Sequence, residues 1–439
     1  MGHGRHETDE SRTRRLPHAV WIVPWTYEHA EDYLLSLEPL GWRFGLERIR
    51  RLVSVLGMPQ HRFGSIHVVG TNGKSSVVEM IAALLEAHGR TTGAYISPHT
   101  ERWSERVRVG GAEIDPNAFG AAVERVAQSV EVTNRSLEEG ESVTQFEAAT
   151  AAAFVALAEA GVGFGVIEAG LGGRLDATNV LPSRATVLTS VGLEHTEWLG
   201  DTEEEIATEK LAVLRDHSVL VIGEVASGVR ELAERAARER SATIVESAEH
   251  DPDLKLAVPG AYARRNFAVA TAAATAVLGP LDPDRVRAVA MGLELPGRMQ
   301  VLDGHPRLVL DAAHNPPGAA ALAEALPEVV AGAPVVACLA LLADKDATGV
   351  VRELAPVIDA AVCTELPAEQ LARAGRPAAR SREARELADA VSAAGLEAEV
   401  VVEPARAVRR ALEAAQARSG TALISGSHYL LRYAVERHS

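Results

Sequence analysis

A short turn between an apolar, strand-like run and a helical run carries the residue types that phosphate chemistry needs. It contains Gly70 and Gly73, followed by Lys74 and two serines. Glycines allow backbone N–H groups to converge on a phosphate, a helix N-terminus favours negative charge, and a lysine reaches the outer phosphates. We therefore predict a shortened nucleotide-binding phosphate loop, made of Gly70, Thr71, Asn72, Gly73, Lys74, Ser75 and Ser76.

The lysine in this turn is informative because the chain otherwise uses arginine. Of 44 basic residues, the lysines are Lys74, Lys210, Lys255 and Lys345. A strand–turn–helix without a ligand would explain the glycines but not a lysine, whose compact ammonium suits close contact with phosphate. The full mononucleotide-binding pattern has a further glycine where this chain has Val68, so the predicted loop is shorter than that pattern.

Three other strand-like runs end in residues that could bind a metal ion. Ser97, Glu168 and His195 each stand at or just after such an end. In a doubly wound sheet these ends meet at one edge, beside the phosphate loop. Singly, the residues suit a turn serine, a helix-capping glutamate and a hydrogen-bonded loop histidine. Together they predict a site for the divalent metal ion that accompanies a nucleotide.

Strand-like and helical runs alternate along the chain, which predicts parallel sheets covered by helices. Proline and glycine interrupt the alternation near residue 296. We predict an N-terminal P-loop ATPase-like doubly wound sheet and a smaller Rossmann-like C-terminal α/β domain. The predicted bounds are 1–17 for a disordered leader, 18–296 for a nucleotide-binding central domain and 297–439 for the C-terminal domain. Strands are expected at 65–70, 92–97, 163–169, 185–190, 219–222, 308–312, 335–340, 358–363, 398–402 and 422–425, and helices at 75–88, 146–160 and 202–214.

The composition excludes several classes of protein. The chain has 439 residues, 47% of them apolar, and a formal net charge of −16, which argues against nucleic-acid binding. Anionic substrates must therefore be held by local positive groups. No apolar run reaches the ~18 residues of a transmembrane helix, and residues 1–18 lack the apolar stretch of a secretory signal. Both cysteines lie in apolar runs, as expected of a reduced, cytoplasmic protein.

Motifs in order along residues 28–432 resemble the folylpolyglutamate synthase/dihydrofolate synthase family, which belongs to the Mur-type amide ligases. The resemblance is carried by specific short segments rather than by composition. These are Phe44–Arg48, Gly70–Lys74, Ser97–His99, Thr144–Glu147, Glu168–Asn179, His195–Gly200, Glu209-Lys210, Pro296–Arg298, Asp311–Pro316, Ala343–Asp346 and Ser425–His428.

The resemblance implies a magnesium-dependent ATP site, with two metal ions, and a neighbouring pterin pocket. The implied metal ligands are Ser97, Glu168, His195 and Lys210, the last as a carbamate. The implied contacts with ATP beyond the loop are Asn266, Arg298 and Asp311. The implied catalytic groups are Lys74, Lys210 and His314. The implied border of the pterin pocket is Phe44, Gly45, Thr144, Gln145 and Phe146.

Four of these residues also have structural alternatives. Lys210 could form a surface ion pair with the glutamates around it, and Arg298 could form a salt bridge between domains. Asp311 could cap the helix that begins near Pro316, and His314 could be a hydrogen-bonded structural histidine. The sequence alone leaves these alternatives open, as it does the choice between Ser75 and Ser76 as the residue facing the metal.

The implied reaction is ATP-driven amide formation. A substrate carboxylate attacks the γ-phosphate to give an acyl phosphate and ADP, and the amino group of L-glutamate then displaces phosphate. The implied partners are small molecules, namely ATP, L-glutamate and dihydropteroate or a reduced folate, bound by a monomer. Two alternatives are a Mur-type ligase for a non-folate carboxylate and an inactive nucleotide-binding homologue. Intact Lys74, Glu168, His195, Lys210 and Asp311 argue against the second.

Overall fold

Two α/β sheets organise the residues that the computed structural model describes, which are 25–37, 45–247 and 254–435. The strands are β1 (Gly64–Val69), β2 (Thr92–Tyr95), β3 (Val107–Val109), β4 (Ala112–Glu113), β5 (Phe164–Glu168), β6 (Ala185–Leu188), β7 (Val219–Ile222), β8 (Thr243–Glu246), β9 (Gln300–Leu302), β10 (Arg307–Leu310), β11 (Val335–Leu339), β12 (Ala360–Cys363), β13 (Glu397–Val400) and β14 (Thr421–Ser425). The helices are α1 (Tyr27–Ser36), α2 (Glu47–Val55), α3 (Lys74–Ala87), α4 (Pro116–Asn134), α5 (Gln145–Glu159), α6 (Thr196–Leu199), α7 (Glu203–Leu211), α8 (Ser227–Glu239), α9 (Ala261–Leu278), α10 (Pro283–Gly292), α11 (Pro316–Val330), α12 (Ala347–Leu354), α13 (Ala368–Arg373), α14 (Ala384–Ala393), α15 (Pro404–Ala417) and α16 (His428–Val435).

The N-terminal sheet places the ends of β1, β5 and β6 side by side. Its strand order is β4-β3-β2-β5-β1-β6-β7-β8, with β3 and β4 antiparallel and the other pairings parallel. Val68 pairs with Glu168 on one side of β1, and Val69 pairs with Leu188 on the other. The loops that follow these three strands therefore meet at one edge of the sheet, where ligands bind in folds of this kind.

The C-terminal sheet brings the loops after β10 and β14 together. Its order is β13-β12-β11-β14-β10-β9, and β9 alone of the described strands in this sheet is antiparallel to its neighbour. Leu310 pairs with Ile424, and Leu339 pairs with Ser425. Because both strands run in the same direction, residues 311–315 and 426–428 leave the sheet next to each other.

One apolar cluster continues from the first sheet into the second. Helix α9 contributes Phe267, which is buried together with Ile81 of α3 and Leu322 of α11. The cluster extends into both sheets, through Val68 of β1 and Leu339 of β11. Parallel strands covered on both faces bury nearly every side chain, which explains their unbroken apolar runs.

The predicted fold class is confirmed, and each predicted strand is present with bounds that differ by at most two residues. Four strands were missed, because β3, β4 and β9 have only two or three residues and β8 lies at the sheet edge with mostly exposed or half-buried residues. The helix predicted at 202–214 ends at Leu211, and the buried Val213 and Leu214 occupy a turn after it. The predicted leader lies outside the described residues, as does Phe44.

A buried ion pair between α2 and α5 gives a test of stability. The Arg48 Nε lies 3.2 Å from both carboxylate oxygens of Glu147, and the two side chains are only 5% and 6% exposed. Arg48→Met should lower the free energy of unfolding by about 3 kcal/mol, because it leaves a buried carboxylate without its partner. Chemical denaturation measures the difference.

The matched control is Arg51→Met, one turn later on the same helix. The Arg51 side chain is 42% exposed, and the side chain of its partner Glu47 is 62% exposed. Arg51→Met should therefore lower the free energy of unfolding by less than about 1 kcal/mol. Equal losses in the two variants would contradict a special role for burial of the Arg48 pair.

Candidate active site

The phosphate loop is held in shape by contacts that depend on its glycines. Gly73 has a φ of +82°, and a Cβ there would lie 2.7 Å from the Asn266 side-chain oxygen. A Cβ at Gly70 would overlap the Thr189 hydroxyl. The Lys74 Nζ donates hydrogen bonds of 2.9 Å to the carbonyl oxygens of Gly70 and Thr71. The loop therefore leads into α3 with its lysine folded over it, as a phosphate-binding turn requires.

The end of β6 supports the other side of the loop. The Asn72 backbone N–H donates to the Ser190 hydroxyl at 3.0 Å, and the Thr189 hydroxyl donates to the Asn72 carbonyl at 2.7 Å. The Thr71 backbone N–H also donates to the Ser190 carbonyl at 2.9 Å. These bonds fix the loop to the strand that precedes His195, so the two predicted sites share one support.

Burial shifts the pKa values of Glu168 and His195 toward the neutral form of each side chain. Glu168 is 3% exposed and accepts a 3.1 Å hydrogen bond from the Ser97 backbone N–H. Burial raises the pKa of Glu168, and the Lys74 ammonium opposes that rise. Burial, followed by the positive charge of Lys345, lowers the pKa of His195 to about 4. The imidazole is therefore neutral at pH 7, which is the form that binds metals.

The donor set fits a magnesium ion bound mainly through nucleotide and water. No group of three or more His, Cys, Asp or Glu side chains suited to a metal ion occurs in the described part of the chain. Mg²⁺ ordinarily uses one or two protein carboxylates and completes its shell with phosphate and water. The Glu168 carboxylate and a serine hydroxyl are oxygen donors of the kind that Mg²⁺ prefers, and the neutral His195 imidazole would add one nitrogen donor.

Lys210 is buried rather than placed on the surface. It is 1% exposed, and its Nζ donates 2.8 Å hydrogen bonds to the Gly70 carbonyl and to Glu194. The alternative prediction, a surface ion pair between Lys210 and the glutamates of its own helix, is therefore wrong. Burial lowers the pKa of Lys210 from 10.5 to about 8. The amine thus touches the phosphate loop and gives up its proton more readily than an exposed lysine.

The C-terminal sheet presents a second group of polar side chains to the same space. The Asp311 carboxylate accepts 2.8 Å hydrogen bonds from the backbone N–H groups of Met299 and Ala313. The Arg298 guanidinium lies 3.2 Å from the His428 Nε2. Neither structural alternative for these residues is present. The side chain that caps α11 is Asn315, and Arg298 forms no salt bridge with any described residue.

His314 lies beside this group with one ring nitrogen engaged. Its Nδ1 is 2.9 Å from the Ala312 carbonyl oxygen, so Nδ1 carries the hydrogen. Burial lowers the pKa of His314 to about 4. The ring is therefore neutral at pH 7, with its Nε2 lone pair free to accept a hydrogen bond.

A reciprocal amide pair joins the phosphate loop to the C-terminal sheet. The Asn72 side-chain nitrogen donates to the Asn315 oxygen at 3.3 Å, and the Asn315 nitrogen donates to the Asn72 oxygen at 3.1 Å. The Asn315 oxygen also accepts from the Gly318 backbone N–H and so caps α11. The first turn of α11 is thereby attached to the nucleotide loop.

One cavity of about 1850 Å³ between the two sheets contains the predicted site as far as the structure describes it. Every predicted site residue in the described ranges lines it, including Gly45, Thr144, Gln145 and Phe146 on the pterin side. Sequence reasoning missed Glu194, His428 and Asn315. Glu194 and Asn315 stand directly beside the predicted His195 and His314, and His428 is the last residue of a segment that carries the resemblance, so position beside or within those segments was the available signal.

Two family models match the chain. The Mur ligase middle domain matches residues 68–257, and the glutamate ligase domain of Mur ligases matches residues 297–428. A dihydrofolate synthase/folylpolyglutamate synthase of Mycobacterium tuberculosis is 33% identical over 358 residues, which cover 73% of this chain and 74% of that protein. The chain belongs to the dihydrofolate synthase/folylpolyglutamate synthase family.

Solved structures from this family agree with the fold. Folylpolyglutamate synthase of M. tuberculosis, complexed with ADP and AMPPCP, superposes with a TM-score of 0.83 at 30% identity and covers 93% of this chain and 97% of its own. A bifunctional folylpolyglutamate synthase/dihydrofolate synthase with Mn, AMPPNP and L-glutamate bound gives 0.80 at 28% identity, covering 94% and 98%. None of the helices in the described ranges is long and apolar enough to cross a membrane.

Proposed function

We propose that this chain is an ATP-dependent ligase that joins L-glutamate to dihydropteroate, to reduced folates or to both, and releases ADP and phosphate. The observation that carries the proposal is the single cavity that contains the phosphate loop, Glu168 and His195 from one sheet, and Asp311 and His314 from the other. Membership of the dihydrofolate synthase/folylpolyglutamate synthase family supports the same conclusion. A carboxylate, ATP and an amine can meet in this space.

The chemistry requires positioning and charge rather than a protein nucleophile. A substrate carboxylate oxygen bonds to the γ-phosphorus of ATP, and the bond to the β-phosphate oxygen breaks to release ADP. The glutamate nitrogen then attacks the carbonyl carbon of the acyl phosphate, loses a proton and expels phosphate. Lys74 and the loop N–H groups hold the phosphates, Arg298 and Asp311 bind the nucleotide, and the His314 Nε2 accepts a hydrogen bond from the amine.

Metal ions complete the proposed site. Ser97, Glu168 and His195 would hold one Mg²⁺, and Lys210 would help to hold a second. When bound, the ions would offset the negative charge of the phosphates against the approaching carboxylate. The manganese in a related structure supports a divalent ion in this family.

We also propose that Lys210 is carbamylated. Its neutral amine would add to carbon dioxide, lose a proton and become a carbamate, which exchanges a cation for an anionic oxygen ligand. The depressed pKa and the contact with the Gly70 carbonyl support this proposal, because they place an easily neutralised amine at the phosphate loop. The oxygens of a carbamate are hard donors of the type that Mg²⁺ prefers.

We propose that the two domains, each built on one of the two sheets, bind different substrates. Residues 18–296 would bind ATP and the pterin, and residues 297–439 would bring glutamate and the Asp311 loop onto the nucleotide, with the chain acting as a monomer. The separate family matches at 68–257 and 297–428 support this division. Closure of the C-terminal domain would exclude water from the acyl phosphate, which otherwise hydrolyses.

The proposed function predicts that ADP release requires two further substrates. We expect turnover only when ATP is supplied with L-glutamate and either dihydropteroate or a reduced folate, because the acyl phosphate needs both a carboxylate donor and an amine. A coupled assay of ADP, with each substrate omitted in turn, measures the dependence. Turnover with another carboxylate and none with any pterin would favour a Mur-type ligase of other specificity. Nucleotide binding without ADP release would favour the inactive homologue.

A further inference from the structure

A loop of the C-terminal domain contacts the pterin-side wall of the N-terminal domain. Gly375, with a φ of +77°, approaches so closely that a Cβ would lie 2.7 Å from the Gln145 side-chain oxygen and 2.8 Å from the Trp103 ring. The loop is a defined turn, since the Arg376 backbone N–H donates to the Leu371 carbonyl at 2.8 Å. Arg376 therefore enters the cavity from a fixed backbone beside the predicted pterin pocket.

Arg376 differs from the other cations that line the cavity, because in the described part of the chain its side chain has no hydrogen-bond or ion-pair partner. Arg106 donates to His99, Arg174 to Glu209 and Lys210 to Glu194, and Arg298 contacts His428. Similar local partners occupy Lys74, Arg265, Lys345 and Arg380. A half-buried guanidinium without a protein partner is well suited to bind an anionic group of a substrate.

The position of Arg376 is between the two ends of the reaction. On one side its neighbour Gly375 contacts the pterin-side wall. On the other side, the cavity that Arg376 lines also contains His195, which follows the strand that supports the phosphate loop. Arg376 therefore lines the space that joins the predicted pterin pocket to the end where the phosphate would react. The part of a folate that must occupy this interval is its carboxylate-bearing tail.

Dihydropteroate and a folylglutamate differ in the number of carboxylates in that tail. Dihydropteroate has one, which must react. The terminal glutamate of a folate has two, so that one reacts while the other needs a partner. We propose that Arg376 binds the non-reacting carboxylate of glutamylated folates and so determines whether this enzyme extends them. The proposal rests on the proposed ligase function.

The test compares two substrates in one set of variants. In Arg376→Met, kcat/KM for a reduced folate monoglutamate should fall on the order of 10- to 100-fold, mainly through KM, because a charge-assisted, two-pronged contact is lost. For dihydropteroate, kcat/KM should change by less than about 3-fold, because no carboxylate remains for the guanidinium to hold. Arg376→Lys should recover only part of the loss, because an ammonium cannot make the paired contact.

The matched control is Arg373→Met, three residues earlier, where the side chain is 69% exposed and pairs with Glu369. It should leave both substrates unaffected. Equal losses for the two substrates, an unchanged KM for the folate, or a rise only in the KM for L-glutamate would overturn the proposal. So would a wild-type enzyme that uses dihydropteroate but no folylglutamate. A wild-type protein that turns over neither substrate would instead overturn the proposed ligase function.

Discussion

Lys210→Ala is expected to lower kcat on the order of 10²- to 10³-fold, the usual cost of removing one group that stabilises transition-state charge. The residue lies against the phosphate loop, with its Nζ 2.8 Å from the Gly70 carbonyl oxygen and its side chain 1% exposed. If the active form is a carbamate, the alanine variant has lost an anionic oxygen ligand. Acetate or another short carboxylate should then restore part of the activity, which a titration at fixed ATP and magnesium measures.

Two further variants separate the carbamate from a simple buried ammonium. Lys210→Arg keeps a positive charge opposite Glu194 but cannot be carbamylated, and we expect it to be inactive. In the wild-type protein the Glu194 Oε1 lies 2.8 Å from the Lys210 Nζ. Glu194→Gln removes this ion-pair partner and keeps the lysine amine. A fully active Lys210→Arg enzyme, together with an unmodified lysine in a nucleotide-bound crystal structure, would refute the carbamate.

Arg298→Ala should reduce kcat/KM on the order of 10²-fold with little loss of stability. The guanidinium contacts His428 on one side, and its charge opposes the rise in pKa that burial gives the Asp311 and Glu168 carboxylates. It therefore lies between groups that come from both sheets. Arg298→Lys should restore little, since a point charge cannot replace the planar fork. Steady-state kinetics with ATP varied, beside thermal unfolding, separates catalysis from folding.

Arg307→Ala is the control for this variant, because Arg307 is an arginine of β10 with a 43% exposed side chain outside the cavity. It should retain wild-type kinetics. An Arg298→Ala enzyme with full activity, or one whose loss is matched by a fall in unfolding temperature, would show that Arg298 has no part in nucleotide binding.

Positions in the cavity that follow from a residue's own segment could be predicted from the sequence. The phosphate loop is one example, because Gly70, Gly73 and Lys74 stand in a strand–turn–helix context that is legible locally. Glu168 and His195 could be added because parallel strands of alternating α/β segments end at one edge. The same reasoning gave most strand bounds, since buried parallel strands are unbroken apolar runs.

Contacts between distant segments could not be predicted from local sequence patterns. The burial of Lys210 was one such case, because its helix has four acidic neighbours and looks exposed, yet the side chain reaches Gly70, 140 positions away. The amide pair between Asn72 and Asn315 spans 243 positions. The position of Arg376 is a third such case, since only the approach of Gly375 to Trp103 places Arg376 at the site. Local patterns contain no information on such distances.

The apolar cluster that runs through α9 should couple the two sheets into one cooperative unit of folding. Phe267 is buried with residues of both, so separating them would expose hydrocarbon from each side to water at once. Heat should therefore melt both halves in the same transition, although the chain has two sheets and a cleft between them. The proposed closure of the C-terminal domain must then leave this cluster buried and instead change polar contacts between the two sides, such as the Asn72–Asn315 pair.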